Sequence, residues 1–171
     1  ALANVGTRET LAHVLPFLYD SDATLRTAAI RCVVTIEQRA TAQGQSLDPQ
    51  VQAALGRGDL VEHLLRTLSE DDVDSQRTAA ITLGWLKEPR AERHLIELLG
   101  QPALDEYAGH ALVCIGFQDR EAYLAGLNHP ADPVRQGTIR CLAWIAPPAA
   151  TQLVAPLLQD PSAEVRAEAA A

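Results

Sequence analysis

An all-α superhelix of stacked helix pairs is the fold class this sequence predicts, on three observations. The chain of 171 residues is 47% hydrophobic but only 4% aromatic, and its apolar share is dominated by Ala and Leu, the best helix formers. One pattern recurs along it, anchored at Leu2, Val33, Leu83, Leu112 and Leu142, with a period of about 30 residues. Within each copy the apolar residues lie three and four apart, which is the spacing of a helix face and not the alternation of a strand.

Taken in order, residues 1–6 read as the tail of a second helix whose partner is missing. Residues 8–39 form the first complete unit: an apolar helix A from Leu11 to Leu18, an acidic turn with Asp20 and Asp22, and a helix B carrying Arg26 and Val33. Residues 40–58 are an insertion. Its Asp48-Pro49 start and Gly56 stop predict a short helix over Asp48–Leu55 in an otherwise mobile loop. Units 59–88, 90–117 and 119–146 repeat the pattern, with helix A at Leu60–Leu68, His94–Leu99 and Tyr123–Leu127. Residues 148–171 hold helix A at Leu153–Leu158 and a helix B that stops early. The whole is expected to be one repeat domain of about four complete units with partial ones at both ends. The chain has no Met, not even an initiator, so a segment of something longer is expected. Uncapped ends also leave faces open to self-association.

Seven residues before each anchor stand Arg26, Gln76, Asp105 and Arg135, and Arg166 opens the last copy. The run Gln159-Asp-Pro-Ser-Ala-Glu-Val-Arg166, together with Ala-rich helices ending like Ala111-Leu-Val-Cys-Ile-Gly116, resembles the HEAT-like repeat family in the short form found in phycobilisome lyases. That resemblance implies a right-handed α–α solenoid and a ladder between repeats made by the turn Asp and the Arg six residues later. Asp20/Arg26 and Asp160/Arg166 keep both members, Glu70/Gln76 and His129/Arg135 keep half, and Asp105 reverses the charge. Irregular stacking is therefore expected around the third unit, whose turn Gly100–Leu104 is also shorter.

Little in the sequence carries catalysis. Cys32, Cys114 and Cys141 are far apart and have neither metal-ligand nor disulfide spacing, so they read as small core residues. Some HEAT-like hydroxylases hold iron through His-Glu dipeptides, but here the order is reversed in Glu62-His63. His13, His63 and His94 share one slot of helix A that points to solvent, so no metal, cofactor or catalytic residue is assigned. The acids of the turns, Glu70 to Asp74 above all, read as helix caps.

One stripe stands apart. The positions two residues either side of each helix B anchor point away from the core, toward the concave face of a stacked repeat. They include Arg31, Trp85, His110, Arg140 and Trp144, with Arg77 one turn earlier. Trp and Arg are the residue types most enriched in binding hot spots. The expected function is a scaffold module that binds a protein or peptide in this groove. The tryptophans would anchor, the arginines would pair with partner carboxylates, and the acids would lie elsewhere. The family resemblance allows two rivals, a chromophore lyase or isomerase subunit and a nucleic-acid-binding domain. A formal net charge of -8 disfavours the second. No apolar run reaches membrane-spanning length, and the expected location is cytoplasmic.

Overall fold

The computed structural model describes residue 3 and residues 6–171, and every regular element in that range is helical. The expected tail at residues 1–6 falls mostly outside the described residues. The chain divides into two compact units, Ala1–Thr82 and Leu83–Ala171.

In the first unit α1, Arg8–Val14, runs on as a 3-10 turn over Leu15–Tyr19. Pro16 sits at that change because it offers no N–H to continue an α-helix. Helix α2, Ala23–Ala42, starts on Asp22, whose carboxylate accepts the N–H groups of Thr24 at 2.8 Å and Leu25 at 3.3 Å. Such a cap satisfies donors that have no partner inside the helix. Helix α2 packs on α1 and on the 3-10 turn, burying Ala29, Val33 and Ile36.

The insertion holds helix α3, Pro49–Leu55, capped by Asp48. Two anchors tie it down. Val51 and Leu55 are buried and α3 lies on the 3-10 turn, where the Tyr19 hydroxyl donates to the Ala54 carbonyl and the Arg57 guanidinium stacks 3.9 Å from the Tyr19 ring centre. At the start of the excursion, the fully buried Glu37 receives Arg8 through Nε at 2.9 Å and Nη2 at 2.7 Å, and the Asp48 N–H at 3.1 Å. A buried carboxylate is tolerable because it is paired and hydrogen-bonded. Helices α4, Gly58–Thr67, and α5, Val73–Leu86, follow, and the last four residues of α5 open the second unit.

The second unit continues with a 3-10 turn at Pro89–Ala91, then α6 (Glu92–Leu98), α7 (Asp105–Ile115), α8 (Arg120–Leu127) and α9 (Asp132–Ile145). It closes with α10 (Pro147–Val154), a 3-10 turn at Ala155–Gln159, and α11 (Ala163–Ala170). Helix α9 is the hub, touching α6, α7, α8, α10 and α11. The anchors Leu83, Leu112 and Leu142 are fully buried. Close approach depends on glycine, as at Gly84 and Gly126. A Cβ on Gly84 would come within 2.9 Å of the Ala111 Cα, and one on Gly126 within 2.6 Å of Ile96 and Thr138. Helix α7, the helix B of the third repeat, has 11 residues against 14 in α5 and α9.

Candidate functional site

In four of the repeats the residue in the Arg slot ties the start of helix B to the end of helix A. Arg26, Arg135 and Arg166 each donate through Nη1 to a main-chain carbonyl six residues back, on Asp20 at 2.6 Å, His129 at 2.7 Å and Asp160 at 2.7 Å. Gln76 makes the shorter-armed version, donating to the Leu68 carbonyl at 3.0 Å. These carbonyls close helix A, so the side chain stitches A to B within one repeat. The rung between repeats is a different bond. Arg135 forks onto Asp160 of the following repeat at 2.9 Å through both Nε and Nη2, and also holds Asp132 at 2.8 Å. Asp160 therefore forks with the Arg of the preceding repeat, while its main-chain carbonyl accepts from its own Arg166.

With the helices so fixed, the stripe residues can be placed unit by unit. In the first unit Arg31 is exposed and Arg77 half-buried. Arg77 donates to Asp74 at 2.7 Å, three residues back on α5. The hydroxyl of Ser75 holds the Asp72 carboxyl below its ordinary range, and the charge of Arg31 adds to that.

In the second unit Trp144 on α9 is 82% exposed, His110 on α7 is exposed and Trp85 at the end of α5 is half-buried. Arg140, one turn before Trp144, lies between two carboxylates. Its Nη2 is 3.2 Å from both oxygens of Asp105 on α7, and its Nη1 is 3.6 Å from Glu168 on α11. The expectation that acids lie away from the stripe is therefore corrected. Arg77 and Arg140 are matched by carboxylates of their own chain. A charge on one helix B sits within reach of the start of the helix B before it and the middle of the one after it, which a single-repeat reading does not see.

Sequence reasoning missed three members of this surface. Val113 is 48% exposed, one turn along α7 from His110. Asp105 and Glu168 flank Arg140. The charge reversal at position 105, an Asp where other repeats carry Arg, was the available signal.

The remaining chemistry is structural. His13 is exposed, but His63 and His94 are half-buried, so the shared slot does not simply point to solvent. Burial pulls the His63 imidazole below its usual value. Among the described residues no group of three or more His, Cys, Asp or Glu could hold a metal ion. Burial raises all three thiols, Cys141 up to about 12, so Cys141 is not a ready nucleophile. Glu92, fully buried at the start of α6, accepts the N–H groups of Gln118 at 2.9 Å and Asp119 at 2.5 Å, which join it to the start of α8. No described helix is long and apolar enough to cross a membrane.

Residues 121–171 match the family of HEAT repeats. The sequence matches no curated protein. Among solved structures it is similar to an engineered protein at 19% identity, covering 95% of this chain and 77% of that one with a TM-score of 0.51. A second engineered protein matches at 20% identity over 99% of this chain and 51% of its own, with a TM-score of 0.53. The complex of CpcE and CpcF of phycocyanin lyase from Nostoc sp. PCC7120 matches at 23% identity over 94% of this chain and 74% of its own, but its TM-score is 0.41 and nothing is argued from it. The likeness to the engineered proteins supports the all-α repeat fold and carries no function.

Proposed function

We propose that the second unit, whose residues 121–171 match HEAT repeats, is an interaction module that docks a protein segment on the face around Trp144. The observation that carries this reading is the exposure of Trp144, 82% on a well-packed helix whose neighbouring positions Cys141 and Leu142 are buried. Burying an indole removes on the order of 150–250 Å² from water, about 4–6 kcal/mol before the costs of association are met. Arg140, held between Asp105 and Glu168, presents a preorganised charged rim. A site on rigid helices loses little conformational entropy on binding. The role asks for binding and for no chemistry.

The test is a displayed peptide library panned on the purified protein. Selected binders should lose at least tenfold in affinity against Trp144→Ala, with the helical circular dichroism unchanged. Phe17→Ser, which alters an exposed apolar residue of the first unit, should leave them untouched. Binders that treat Trp144→Ala as the parent chain, or that depend on Phe17 instead, would sink the reading.

A further inference from the structure

This inference rests on the docking face just proposed and names its partner. We infer that the docked segment is cationic, offering arginine or lysine side chains to the carboxylates beside Trp144. The argument begins with Arg140. One guanidinium faces two carboxylates, Asp105 at 3.2 Å and Glu168 at 3.6 Å. The cluster therefore carries a net negative charge, one helical turn from the exposed indole. The Glu168 contact is longer than a hydrogen bond, so that carboxylate keeps acceptor capacity for an incoming donor. Asp105 and Glu168 have side chains 37% and 29% exposed, open enough to be reached.

Three classes of segment would meet this surface differently. An anionic one would approach a cluster already negative and would compete with two carboxylates in place on Arg140. A neutral one would meet the Glu168 carboxylate with at best an uncharged amide or hydroxyl donor, which offsets its desolvation less than a charged donor does. A guanidinium or ammonium supplies that donor and can also lie over the indole face, where the ring quadrupole attracts it. The wider field agrees. Residues 83–171 carry seven Lys and Arg against eleven Asp and Glu, so a cation is steered toward this unit and an anion away from it. This reverses the partner expected from the sequence, in which free arginines were to recruit carboxylates.

The experiment uses three labelled 14-residue peptides with identical apolar positions, whose polar positions are all Arg, all Gln or all Glu. Each is titrated against the intact chain by fluorescence polarisation at low and high NaCl. The Arg peptide should bind at least tenfold tighter than the Gln peptide and the Glu peptide weakest, with the advantage shrinking several-fold at high salt. Trp144→Ala should abolish binding. The double variant Asp105→Asn, Glu168→Gln should bring the Arg peptide to the level of the Gln peptide. The inference is overturned if the Gln or Glu peptide binds as tightly, or if the Arg advantage survives in the double variant. If none of the three binds while library-selected segments still depend on Trp144, the cationic partner is wrong and the docking face stands. Loss of Trp144 dependence itself would remove both.

Discussion

Glu92 shows how much one side chain settles in this chain. It is fully buried, and its two oxygens take the main-chain N–H groups of Gln118 and Asp119. Burial raises its carboxyl above the ordinary range, while the two N–H donors pull it back down. Because the folded value is the higher one, the folded state binds the proton more readily. Glu92 thus costs stability at neutral pH and costs less as the solution is acidified through its folded value. Its benefit is geometric, joining the start of α6 to the start of α8. Glu92→Ala orphans two buried donors, at about 1–3 kcal/mol each, and should lower the urea midpoint accordingly. Glu92→Gln, which can accept one of the two, should fall between Ala and the parent chain. A Glu92→Ala protein as stable as the parent would show that water takes over both donors without cost. Nothing in the sequence marked this residue, since a Glu at a helix start reads as a solvated acid. Its burial follows from the loop that returns across it 26 residues later.

At the scale of elements, the helix A to helix B stitch and the rung between repeats share one residue type but not one bond. The six-residue Asp-to-Arg spacing was legible, and so was the replacement of Arg by Gln76 and Asp105. Which carboxylate meets which guanidinium was not legible, because it depends on the stacking of successive helices. Arg135 holds Asp160, Asp132 and the carbonyls of His129 and Pro130 together. Asp160 in turn binds Arg135 and the Ser162 N–H. The two ends of the rung should therefore weaken the fold unequally. Arg135→Met loses the stitch and the rung together, whereas Asp160→Asn keeps the stitch and one acceptor oxygen. Thermal unfolding should rank the parent above Asp160→Asn, and Asp160→Asn above Arg135→Met. The reverse order of the two variants would place the weight on the carboxylate and contradict the stitch.

For the whole molecule, composition reported architecture: an Ala- and Leu-rich chain with few aromatics is what close helix pairs require, and the repeat period located the buried anchors Val33, Leu83, Leu112 and Leu142. The core was legible because apolar spacing encodes it, as at Val33, Leu83, Leu112 and Leu142. The surface was half legible. Trp144 could be placed on the outer side of a helix from its distance to Leu142, but the charge around it could not, since Asp105 and Glu168 come from neighbouring repeats. The same acids that cap and clamp give the molecule a common weakness in acid. Asp22 and Asp72 in the first unit and Glu88, Asp160 and Glu164 in the second are all held below their ordinary range, chiefly by hydrogen bonds from backbone N–H groups, Ser75, Arg90 and Arg135. For a group whose folded value is depressed, stability is present above the unfolded value and is lost as pH falls toward the folded one. The loss should begin near pH 4, where these carboxyls titrate in the unfolded chain. Both tryptophans lie within residues 83–171, so their fluorescence reports that unit, whereas far-ultraviolet circular dichroism reports the whole chain. Depressed carboxyls occur in both units, so the urea midpoints read by the two signals should fall together between pH 5 and pH 3. A midpoint that holds steady by fluorescence while it falls by circular dichroism would mean that the capping acids of the second unit do not carry its stability.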